Sequence, residues 1–140
     1  MKYRKTNNTV YACQYHIVFC PKYRRKLLVG EVEARFKELA PAAAREVEAE
    51  IVEMEVMPDY VHMLVSAPPH VSPAQVVHRV KGVTSRLMRA EFPELKRRVP
   101  TLWTNSYFCS TVGGARLAVV QEYIQDQKTS GRANQKGKMG

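Results

Sequence analysis

The sequence predicts an α+β domain built on an antiparallel sheet, and three stretches carry that prediction. Residues 51–57, IVEMEVM, alternate apolar and acidic side chains with the period of two that marks a half-solvated strand. After the Pro58–Asp59 turn, YVHMLVS over 60–66 is equally strand-like, so the two read as a β-hairpin. Then SPAQ over 72–75 is a helix start: Ser72 as N-cap, Pro73 at the first helical position and Gln75 closing a capping box.

The remaining elements follow in order. VYACQYHIVFC over 10–20 is rich in β-branched and aromatic residues and ends at Pro21, which predicts a first strand. Val32, Phe36, Leu39, Ala43 and Val47 repeat at helical spacing and predict a helix over 31–48, kinked at Pro41. In the first hairpin strand Val52, Met54 and Val56 face one way and Glu53 and Glu55 the other. In the second, Val61, Met63 and Val65 point into the core, while Tyr60, His62 and Leu64 share the opposite face. The helix begun at Ser72 buries Val76, Val80, Val83 and Leu87 and stops near Phe92-Pro93. The basic run ELKRRVP connects to LWTNSYFCSTV over 102–112, a predicted fourth strand, which Gly113-Gly114 ends. A last helix is expected from Ala115 to about Lys128, packing through Leu117, Val120 and Ile124, and the tail over 129–140 reads as disordered.

The order β-α-β-β-α-β is the ferredoxin-like split βαβ arrangement, an antiparallel sheet with two helices on one face, plus one C-terminal helix. A chain of 140 residues without repeats makes this a single domain. The 22 Lys and Arg against 13 Asp and Glu leave a net charge of +9, which favours a polyanionic partner such as nucleic acid. Cys13, Cys20 and Cys109 form no CxxC pair and read as buried thiols of a reducing cytoplasm, against both a disulfide framework and a thiolate zinc site. Neither a signal peptide nor a run of ~20 apolar residues is read, so a soluble cytoplasmic protein is expected, without membrane association.

Two features reach beyond fold. PKYRRK places Lys22, Tyr23, Arg24, Arg25 and Lys26 together, cations around an aromatic ring, suited to phosphate contact with base stacking. Lys81, Arg86 and Arg89 on the second helix extend that track, while Trp103 suits either stacking or the core. On the last helix, Tyr123 and Gln127 are four apart and share one side.

Taken together, YHIVFCPKYRR, PDYVHMLVS, LWTNSYFCSTVG and YIQDQ, in that order, resemble the single-strand DNA transposases of the insertion sequence 200/605 family, HUH nucleases with one catalytic tyrosine. The resemblance spans about Tyr11 to Lys128. It implies Tyr123 as the nucleophile, forming a 5′-phosphotyrosine and releasing a 3′-hydroxyl. It implies His62 as a ligand of a divalent metal, Mg²⁺ or Mn²⁺, and Gln127 as the residue completing that site. It further implies single-stranded DNA with a hairpin as substrate, with no small-molecule substrate, and a homodimer. The family's other histidine is replaced here by Tyr60, a neutral phenol and a poor ligand, and Asp59 is the adjacent carboxylate able to stand in. The alternative expectation is a catalytically impaired relative that binds a DNA or RNA hairpin without cutting it. An RNA-recognition motif fits less well, because YVHMLVS has no glycine and one aromatic.

Overall fold

The computed structural model describes residues 3–5, 9–112 and 122–127. Gly113-Gly114, the start of the expected last helix and the tail over 129–140 lie outside the described residues.

The first predicted strand divides. β1 (Arg4–Lys5) pairs antiparallel with β2 (Val10–Tyr11) in a small separate ladder. Only β3 (Gln14–Phe19) enters the main sheet. There it lies between β5 (Tyr60–Ser66) and β6 (Phe108–Thr111), antiparallel to both. β4 (Glu50–Met57) pairs with β5 as the expected hairpin, Met57 opposite Tyr60, giving the sheet order β4-β5-β3-β6.

A bulge at Ile51/Glu53 corrects the alternation assigned to β4. A bulge sets two residues against one and flips the face of what precedes it. Ile51, Met54 and Val56 therefore pack on the core, and Val52 is exposed.

One sheet face is dry. Ile17, Phe19, Val61, Met63 and Val65 are fully buried beneath α1 (Gly30–Arg45) and α2 (Pro73–Glu91). α1 brings Phe36, Leu39, Ala40, Ala43 and Ala44 to this layer, and α2 brings Val76, Val77, Val80, Val83, Thr84 and Met88. α1 runs through Pro41 and ends at Arg45, earlier than expected. Glu48 adopts φ +66 and the Ala49 amide reaches back to the Ala44 carbonyl, closing the helix without a glycine. α2 starts with both capping-box hydrogen bonds, Ser72 Oγ accepting from the Gln75 amide at 3.1 Å and Gln75 Oε1 from the Ser72 amide at 2.8 Å.

The basic connection is not a loop. Phe92 caps α2, and Pro93, at the first position of α3 (Pro93–Arg98), sets a φ already helical. The fourth predicted strand also shortens. Trp103 makes an isolated bridge to Pro21, residues 104–107 leave the sheet, and pairing resumes at Phe108. Trp103 belongs to the core. Its ring meets Phe19 edge-on at 4.8 Å and Phe36 at 5.5 Å, and its Nε1–H donates to Thr84 Oγ1 at 3.0 Å.

Candidate functional site

The second sheet face is where the chemistry gathers. Pleating turns Tyr60, His62 and Leu64 of β5, with His16 and Val18 of β3, away from the helix layer. Residues 122–127 are helical and lie over this face: Ile124 is buried on Val18, with Tyr60, Phe108 and Tyr123 around the contact. Val18 is also the cross-strand partner of both His62 and Phe108. Histidine and tyrosine thus share one side of the sheet, on either side of the Val18–Ile124 contact.

Tyr123 is held at the β6 side. Its ring packs on Phe108 at 5.9 Å, and its hydroxyl lies 3.1 Å from Ser106 Oγ. Ser106 Oγ donates to Gln127 Oε1 at 2.8 Å, so its single proton is committed there and it accepts from Tyr123. One serine therefore ties together the two polar residues that helical spacing pairs. Burial pushes the Tyr123 phenol up to about 12, against a smaller downward pull from Ser106.

Lys81 supports this loop from below. Its Nζ donates to the carbonyls of Thr104 at 2.6 Å and Ser106 at 3.1 Å and lies 5.6 Å from the centre of the Phe19 ring. Burial lowers its pKa to about 8. The expected phosphate track along α2 therefore departs from the structure at Lys81, whose ammonium points into the loop rather than outward. Arg86 is exposed as that track requires, and Arg89 donates to the Val99 carbonyl at 3.1 Å.

The PKYRRK loop also divides. Lys22–Arg24 form a 3-10 turn in which Tyr23 and Arg24 sit at φ +60 and +52, a conformation non-glycine residues seldom hold without support. The support is visible at Arg24. Its Nε donates to Asp59 Oδ2 at 2.7 Å, and its Nη1 reaches the Ile124 carbonyl at 3.3 Å and Gln125 Oε1 at 3.2 Å. Asp59, the carboxylate expected to approach a metal, is thus engaged by a guanidinium. Arg25 and Lys26 are exposed, and Lys22 lies 5.4 Å over the Tyr23 ring.

Arg24→Ala is expected to release the segment over 122–127 and to strand Asp59, whose side chain is only 14% exposed. The cost is about 2 kcal/mol, below that of a fully buried pair. Faster amide exchange over 122–127, with a lower urea midpoint, checks this; unchanged exchange there would show that Arg24 does not hold the segment.

His62 has a partner that the sequence reading did not single out. His16 Nδ1 stands 3.0 Å from His62 Nε2, the rings 5.2 Å apart and tilted 40°. Burial, then His16, lowers the His62 pKa, and Glu55 and Glu53 push it partly back. Tyr60 is half-buried, and burial, with Glu55 and Asp59, raises its pKa, so the phenol stays neutral at physiological pH. A larger hollow of about 650 Å³ lies between α2 and residues 101–107, apart from His62 and Tyr123. Only a partial signal for His16 and Ser106 lay in the sequence. His16 is two residues from Val18 on the face that antiparallel pairing sets beside His62, and Ser106 lies two residues before Phe108, just outside β6.

The chain as a whole is similar to known proteins. A crystal structure of a Deinococcus radiodurans chain assigned as a transposase superposes with a TM-score of 0.80 at 36% identity, covering 89% of this chain and 97% of that one. The REP-associated tyrosine transposase bound to a REP hairpin shares the fold at 11% identity and a TM-score of 0.57, over 89% of this chain and 68% of that one. The architecture is thus that of a mixed α/β transposase domain. Residues 9–127 match the family model described as "Transposase IS200 like". The ISDra2 transposase TnpA of D. radiodurans is 37% identical over 129 residues, 91% of this chain and 92% of the relative. The transposase for insertion sequence element IS200 of Salmonella typhimurium is 34% identical over 122 residues, 86% of this chain and 80% of that protein. The chain belongs to the IS200-like, insertion sequence 200/605 family of transposases.

Proposed function

We propose that this transposase cleaves and rejoins single-stranded DNA at hairpin-marked ends, with Tyr123 as nucleophile. The observation that carries the reading is the placement of Tyr123 on the sheet face that also bears His62, with Ser106 holding its hydroxyl. The sheet order β4-β5-β3-β6 with both helices on the opposite face supports a ferredoxin-like scaffold for this arrangement.

In the proposed step the Tyr123 oxygen attacks a backbone phosphorus. The Tyr123 O–P bond forms, the P–O3′ bond breaks, and the departing oxygen takes a proton to become a 3′-hydroxyl. The phosphodiester energy stays in the phosphotyrosine, so a later 3′-hydroxyl reverses the step without ATP. A phenol pushed up to about 12 is a reluctant nucleophile at neutral pH, so its proton has to leave as the bond forms. A divalent cation, Mg²⁺ or Mn²⁺, would supply charge neutralisation at the phosphate. The donor chemistry fits a partial site: the His62 imidazole and the Gln127 amide, with phosphate oxygens as further ligands. Among the described residues no group of three His, Cys, Asp or Glu gathers with metal-site spacing.

The protein would act as a homodimer in the cytoplasm. Among the described residues no helix is long and apolar enough to cross a membrane. The hairpin named in the REP complex belongs to that structural neighbour, and here a DNA hairpin is the proposed substrate element. Exposed Arg25, Lys26 and Arg86, with Lys22 and Tyr23, are the proposed DNA contacts. A second reading, hairpin binding without cleavage, is favoured by one observation: Tyr60 is a neutral phenol in the place of the family's first histidine.

A single experiment separates the two. Hairpin-bearing single-stranded DNA is incubated with the protein in Mn²⁺ or in EDTA and run on a denaturing gel. A covalent adduct dependent on Mn²⁺ is expected. Tight binding without any adduct would favour the second reading.

A further inference from the structure

Tyr60 deprives His62 of an imidazole two residues away on its own strand, but the sheet provides one from the neighbouring strand. His16 on β3 shares the open face with His62, and its Nδ1 lies 3.0 Å from His62 Nε2. We propose that His16 and His62 together hold the divalent cation, His16 supplying the nitrogen ligand that position 60 lacks. This rests on the metal-dependent reading above and assigns its ligands differently.

The 3.0 Å separation is that of a hydrogen bond between the two rings, and it is also close to the separation of two ligands on one cation. Nitrogens at adjacent corners of an octahedron, each ~2.1 Å from the metal, are about 3.0 Å apart, whereas a tetrahedral pair would be nearer 3.4 Å. The ring centroids at 5.2 Å, with the rings tilted 40°, fit one imidazole donating an N–H to the other. To hold one cation the two imidazoles would give up that hydrogen bond and turn their nitrogens toward it. A hollow of about 120 Å³ adjoins the pair, lined by His16, His62, Glu53, Glu55 and their neighbours, which is room for a cation with a few waters. Glu55 is the cross-strand partner of His62 and lines the same hollow. Two imidazoles with water oxygens form a mixed nitrogen and oxygen set suited to Mn²⁺.

The position has a mechanical consequence. A cation held there would be on the β5 side of the Val18–Ile124 contact, while the Tyr123 hydroxyl lies at Ser106 on the β6 side. A phosphate bridging the two would have to span that contact or draw the 122–127 segment from Ser106 and Arg24.

The test uses the full chain and Mn²⁺ alone, without DNA. Electron spin resonance titration gives the affinity, and the nitrogen couplings in the pulsed spectrum count the bound imidazoles. Two couplings are expected in the wild-type protein, and one in His16→Gln, with affinity lowered about tenfold or more. One coupling or none in the wild-type protein, or unaltered affinity in a folded His16→Gln, would overturn the assignment. If the variant does not fold, the wild-type count alone decides. Two couplings without a Tyr123–DNA adduct would keep this site and reject the transposase chemistry; an adduct with one coupling would do the reverse.

Discussion

Tyr123→Phe is expected to abolish the protein–DNA adduct, a loss of about 10⁴-fold or more, while leaving the fold intact. The phenylalanine ring keeps its packing on Phe108 and beside Ile124, so the segment stays seated. What is removed is the oxygen that bonds to phosphorus, together with one hydrogen bond to Ser106, itself worth only about 1 kcal/mol. DNA affinity should change little, because the proposed phosphate contacts come from Arg25, Lys26 and Arg86. Denaturing gels for the adduct and a filter-binding assay for affinity separate the two effects. An adduct of wild-type yield in the phenylalanine variant would remove Tyr123 from the chemistry.

The largest stability effect is expected at Trp103→Ala, about 4 kcal/mol. Trp103 fills the angle between Phe19 and Phe36, both fully buried, so truncation opens a cavity that α1, β3 and the chain at 103 line together. It also removes the indole donor from Thr84, which still donates to the Val80 carbonyl at 2.7 Å, so no buried hydroxyl is orphaned. A domain of this size has about 5–15 kcal/mol in total, so the variant should be close to unfolding. Urea denaturation followed by circular dichroism measures it, since Trp103 is the only tryptophan. A loss under about 1 kcal/mol would place Trp103 outside the core.

The scaffold was largely legible because its signals are local. The capping box at Ser72 and Gln75, the Pro58–Asp59 turn and the alternation in YVHMLVS act within a few residues, and each appears where the sequence places it. Failures arose where tertiary contacts override local pattern. Nothing local in EIVEMEV announces the bulge that turns Val52 outward, and ELKRRVP looks like a polar loop until Pro93 and the buried Leu95 are seen together. Trp103 to Tyr107 read as a strand by composition, yet only Trp103 makes a bridge, because Lys81 draws the next carbonyls out of the ladder.

The site was legible only in part for the same reason. Tyr60, His62, Tyr123 and Gln127 sit in short recognisable stretches. His16, Ser106 and Arg24 act across separations of 46, 17 and 100 residues, to His62, Tyr123 and Ile124 respectively. Their roles exist only once β3 and β6 flank the same face.

The most direct measurement is a mass-spectrometric map of the adduct. The protein is reacted with hairpin-bearing single-stranded DNA and Mn²⁺, the DNA is trimmed by nuclease, and peptides carrying a nucleotide remnant are sequenced. The expected remnant is a phosphodiester on Tyr123 alone. A remnant on Tyr60, the other phenol of that face, or cleaved DNA with Tyr123 unmodified, would contradict the account.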